Sequence, residues 1–189
     1  MIRRLERPED FPGQTRVTWR REPYAIVAAA ALGVLWPPLI LTLPLWPPRH
    51  WAPGLEVDWR LMVLFVGLLA VPGGLWLLDQ ERRRSGRPAT RLGVIWRFMF
   101  FGGLLAAALG ALFAVIQSVL QWLNAANVGE AVGGSETSLL IYGVGGLSVA
   151  VLVGVSYALW AGLCAAFIAF RPQPEVRDRL GLIGEREPD

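Results

Sequence analysis

Apolar residues fall into four long runs along the 189-residue chain, set apart by charged or Gly- and Asn-bearing stretches. The runs cover about 24–46, 61–78, 98–123 and 139–170. Each matches or exceeds the roughly 20 apolar residues a helix needs to cross bilayer hydrocarbon, or comes close to it. The last is the most extreme, with thirty-two residues from Leu139 to Phe170 and not one charge. The pattern predicts an all-α integral membrane protein with four transmembrane helices in two hairpins. Residues 1–22 then form a cytoplasmic lead, 23–170 the transmembrane domain and 171–189 a cytoplasmic tail.

Small residues recur inside the last two runs with a four-residue step. Gly102, Ala106, Gly110, Ala114 and Ser118 form one row; Gly146, Ala150, Gly154, Ala158, Gly162 and Ala166 form the other. Membrane helices associate without a hydrophobic drive between them, and small residues let their backbones approach. The two rows therefore predict a close-packed hairpin. A four-residue step drifts by about 40° per repeat on a 3.6-residue helix, so each row wraps and its ends reach different partners. A glycine-lined pore is the competing use of the same residues. Gly143 and Gly145 widen the outer end of the second row.

The first two runs are interrupted instead. Trp36-Pro37-Pro38 divides the first, where neither proline can donate to the carbonyls of Gly33 and Val34. Pro72-Gly73-Gly74 predicts a second break, at a different depth. Two breaks at one depth would point to a transporter site. Unequal depths favour kinks that shape helices around lipid or a partner. Glu22-Pro23 reads as a helix start. Asp79 stands three and four residues before Arg82 and Arg83, as in a local ion pair. Asn124–Ser138 reads as a loop, with Ser135, Thr137 or Ser138 capping the fourth helix.

Charge then orients the chain. All eighteen basic residues are arginine. Six lie in 1–22, six in 79–97 and four in the tail, against two around the first loop and none in 124–138. The positive-inside rule puts both termini and the middle loop in the cytoplasm. A cleaved signal peptide is not expected, because the first apolar run begins only at Tyr24 behind a charged lead. Arg82, Arg83, Arg84, Arg87 and Arg91 set this topology and meet anionic lipid, at about 1 kcal/mol each near the surface. They are not expected to bind nucleic acid. An arginine-only, Gly/Ala-rich composition suggests a bacterial inner membrane.

Candidate chemistry is sparse. The runs hold no intramembrane histidine for haem and no cluster of zinc ligands; Ser148 and Ser156 have no lysine or histidine base near them. No GxxxxGK phosphate loop occurs. No catalytic residue, metal or cofactor is expected, though bound lipid is. Gln117, Gln121 and Asn124, at i, i+4 and i+7, form the one polar constellation. It suits a polar ligand, or else interhelical hydrogen bonds and wetting at a helix end. The sequence reads best as a non-catalytic membrane subunit that stabilises or positions a partner through small-residue surfaces. A small homo-oligomeric channel or transporter is the alternative, and a role for His50 with the Glu56/Asp58 pair is a third.

Overall fold

A computed structural model describes residues 17–19, 22–48, 58–85 and 90–172. Nearly all of these residues are helical. Helix α1 (Pro23–Val34) opens with proline at its first position, and α2 (Pro37–Leu45) does the same after Trp36. The two are bent by 54° at the expected break. Helix α3 (Trp59–Ser85) follows, then α4 (Arg91–Asn124), α5 (Val128–Ser138) and α6 (Leu147–Cys164). A π-helical stretch, Leu139–Gly146, joins α5 to α6, and another, Ala165–Ala169, extends α6. From Val128 to Ala169 the chain is thus one helix of 42 residues.

Three expectations need correction here. The break at Pro72 does not occur, since α3 runs unbroken through Pro72-Gly73-Gly74. One proline removes one donor, which a helix supported by neighbours tolerates. Gly74 instead makes room for Phe98 of α4, whose ring lies 3.1 Å from where a β-carbon would stand. Asn124–Ser138 is not a loop, because residues 128–138 are α5. Its cap is Asn127, whose side chain accepts from the Glu130 N–H at 2.9 Å, while Glu130 accepts from the Ala126 N–H at 3.1 Å. Ser135, Thr137 and Ser138 lie inside the helix and cap nothing at its start. Finally, α4 starts at Arg91, seven residues before the expected Phe98, with Thr90 accepting from the Gly93 N–H at 3.2 Å.

A two-stranded ribbon closes one end. Strand β1 (Val17–Trp19) pairs antiparallel with β2 (Phe170–Pro172), Val17 opposite Pro172 and Trp19 opposite Phe170. The chain leading into α1 and the chain leaving the last helix are therefore side by side. The end of α3 joins them through Arg82, which donates to the Val17 carbonyl. The start of α4 joins through Arg97, which makes a forked ion pair with Glu81 of α3. Arg171 and Glu22 pair at 3.1 Å across the same end.

The core lies where α1, α3, the first turns of α4 and the last turns of α6 meet. Ala29, Leu39, Val71, Leu75, Val94, Phe98, Ala161, Ala166 and Phe170 are buried in it. Among the described residues, α3, α4 and the 42-residue helix are long and apolar enough to cross a membrane, and α1 with α2 makes a fourth candidate. These features describe an all-α, multi-pass membrane protein.

Candidate functional site

The two small-residue rows meet. A β-carbon on Gly102 would stand 2.3 Å from that of Ala158, and one on Gly154 would stand 2.2 Å from that of Ala106. Gly110 opposes Ala150 at 3.3 Å and Leu147 at 3.1 Å, and Gly162 opposes Phe98 at 3.0 Å. Three four-residue steps up α4, from Phe98 to Gly110, thus match three down α6, from Gly162 to Ala150, without leaving the contact. The expected drift shows only at the ends. Gly146, in the π-helical stretch, has only its own helix within 4 Å, and Ala166 is buried in the core. Ala114 is buried as well. Ser118 lies beside α5, where Ser135 donates to its carbonyl at 3.4 Å.

Gln117, Gln121 and Asn124 sit where α4 nears its end. Gln121 and Asn124 are exposed, and Gln117 is half-buried. The trio lies beside α5, whose Gly134 leaves room for Gln121 at 3.6 Å. The depression nearby is shallow, apolar and open, lined by Ser118, Val119, Trp122 and Leu123. It does not enclose the glutamines.

The arginines divide into distinct roles. Asp79 pairs with Arg83 at 2.8 Å. Arg82 turns away from this pair to the Val17 carbonyl and lies over the Phe170 ring at 5.1 Å. Arg91 lies over Phe167 at 4.7 Å, Arg84 is exposed, and Arg87 lies outside the described residues. His50 and Glu56 also lie outside them. Asp58 does not: it precedes α3, and Arg60 donates to it from both backbone and guanidinium. That side-chain bond holds the Asp58 carboxyl below its usual range. Among the described residues no three histidine, cysteine or carboxylate groups converge as a metal site would require.

Two residues that sequence reading passed over organise the bend between α1 and α2. The Tyr157 hydroxyl donates to the Val34 carbonyl at 2.9 Å, and the Trp160 indole N–H donates to the Leu32 carbonyl at 2.9 Å. Pro38 has no N–H for Val34, and the Trp36 N–H turns to Val34 and so leaves Leu32. Side chains from α6 thus supply the donors that the broken helix cannot. Gly67 of α3 leaves the space that the Tyr157 hydroxyl occupies, and Trp36 packs edge-on against the Tyr157 ring at 5.6 Å. The signal available was chemical: freed carbonyls in hydrocarbon need donors, and α6 carries two at i and i+3. Comparison with protein-family models, curated protein sequences and solved structures finds no match to this chain.

Proposed function

We propose that this chain is a non-catalytic subunit of a larger membrane assembly, which it stabilises or positions through helix-packing surfaces. One observation carries the reading: the outer half of the α4–α6 hairpin is left uncovered by the other described residues. Leu140, Ile141, Val144 and Leu152 are exposed there, and nothing lies within 4 Å of where β-carbons on Gly143 and Gly145 would stand. The matched rows hold the hairpin together and leave this second small-residue surface for a neighbouring membrane subunit. With ~51 Å in α4 and ~63 Å in the 42-residue helix against ~30 Å of hydrocarbon, the hairpin also reaches beyond the bilayer.

The test is extraction from native membranes in mild detergent. The protein should co-purify with at least one different membrane protein, and Gly143→Leu with Gly145→Leu should remove that partner while leaving the chain folded. Gln117→Leu with Gln121→Leu should leave the association intact. Recovery only as a homo-oligomer, with solute flux in liposomes lost in the double glutamine variant, would favour a channel.

The same reading places four spans in a bacterial inner membrane with both flanks cytoplasmic. Counting α1 and α2 as one broken span is supported at both ends of α3. Arg82 in its last turns meets the strand before α1, while Arg60 in its first turn donates to the Thr42 carbonyl of α2 at 2.9 Å. In a Cys164→Ala background, Ser85→Cys and Glu136→Cys should label from opposite sides. An impermeant reagent should reach only position 136 in intact cells. Equal labelling would overturn the orientation.

A further inference from the structure

We propose that Arg82 and Arg91 form a binding site for a phosphate-bearing group, filled in the membrane by the headgroup of an anionic phospholipid. Both arginines continue the inward stripes of their helices. On α3 the buried Val71, Leu75 and Leu78 lead at helical spacing to Arg82, and on α4 the buried Phe98 and Val94 lead back to Arg91. Both stripes finish over the end of the last helix, one guanidinium on Phe170 and the other on Phe167. The rings hold the cations but offer no lone pair.

Among the described residues neither arginine makes an ion pair, although the Asp79 charge acts on Arg82 from a distance. Asp79 is taken by Arg83, Glu81 by Arg97 and Glu22 by Arg171. Arg82 spends one Nη on the Val17 carbonyl, and its other Nη is buried with no acceptor. Arg91 makes no hydrogen bond or ion pair among the described residues, and its Nε is likewise buried with no acceptor. A buried charged donor left unpaired costs more than a neutral one. The first turn of α4 contains no acid either, so Arg91 adds to the positive end of its helix rather than offsetting it. Two inward cations without an ion pair among the described residues call for an oxyanion, and the planar guanidinium fork suits phosphate oxygens. Depth selects the source. Arg91 lies seven residues, ~10 Å along α4, outside Phe98, which is headgroup level for a helix whose apolar run begins there.

This inference rests on the membrane reading of the fold and not on the partner reading, so co-purification and lipid binding fail or succeed separately. The full chain in neutral detergent is titrated with phosphatidylglycerol, phosphatidylcholine or inorganic phosphate, and followed by native mass spectrometry and thermal shift. Phosphatidylglycerol should remain bound and raise the unfolding temperature, while phosphatidylcholine should not. Arg91→Gln and Arg82→Gln should each weaken that binding about tenfold. Arg84→Gln, exposed at the same end, should weaken it less than about fivefold, the range of diffuse surface charge. Arg82→Gln also loses the tie to Val17; should it fail to fold, Arg91→Gln decides, with Arg91→Lys expected between it and the unaltered chain. An equal response to inorganic phosphate would overturn the lipid source. Equal binding of the two lipids, or an Arg84 effect as large as that of Arg91, would overturn the site.

Discussion

Gly154→Leu lowers the unfolding temperature of the detergent-solubilised protein by about 6–12 °C, and Gly145→Leu, nine residues away on the same helix, shifts it little. The difference follows from what each glycine faces. A β-carbon at 154 would stand 2.2 Å from the methyl of Ala106, with the Gly102 carbonyl oxygen at 3.5 Å. No rotamer avoids that contact, so the two backbones must move apart. The movement propagates to Gly102 and Gly110, whose partners lie on the same seam. Overpacking typically costs ~1–3 kcal/mol, and the upper end applies where backbone rather than a side-chain tip must yield. For a chain of this length ~1 kcal/mol corresponds to about 2–4 °C. At 145 nothing lies within 4 Å, so in the purified chain leucine there meets no other described part of the fold. Equal shifts at the two positions would show that the α4–α6 seam does not hold the hairpin.

The parts of this fold that were legible in the sequence are those governed by a single physical rule. Apolar length gave helices able to span the bilayer, the four-residue step gave the α4–α6 seam, and Pro37-Pro38 gave the bend. Where two rules competed, the reading went astray. Pro72-Gly73-Gly74 looks like a break by propensity. In the fold its glycine serves close approach to Phe98, and the helix continues. The 124–138 stretch looks like a loop because Gly129, Gly133 and Gly134 depress helix propensity. Asn127 and Glu130 nonetheless start a helix there, and α5 continues into α6 because packing along α4 outweighs a few weak formers. The candidate polar site was legible as a face but not in its surroundings: Gln117, Gln121 and Asn124 share a side of α4, and α5, which lies beside Gln121 at Gly134, looks like a loop in the sequence. Tyr157 and Trp160 stood in an apolar run and carried no pattern of their own. Their role becomes visible only once the carbonyls that need them are identified.

That role gives the second large effect. Gly67→Ala should destabilise the protein by about 3 kcal/mol, far more than the few tenths expected for alanine at an open helix position. The added methyl would stand 1.9 Å from the Tyr157 hydroxyl oxygen and 2.5 Å from its ring carbon Cζ. The ring cannot simply swing clear, because its hydroxyl is bonded to Val34 and its face meets Trp36 edge-on. Displacing it leaves the Val34 carbonyl with only the short-range Trp36 N–H at a bend that has already lost its helical donors. Tyr157→Phe removes the bond alone and should cost ~1 kcal/mol, the usual net value of a hydrogen bond to a neutral partner. The double variant separates packing from bonding. With the hydroxyl oxygen gone, the methyl meets only the ring, so Gly67→Ala should cost ~1 kcal/mol or more less in the phenylalanine background. Denaturation of all four proteins in one detergent measures that coupling. Strict additivity would mean that Gly67 and Tyr157 act independently and that the bend of α1 against α2 is held by something other than α6.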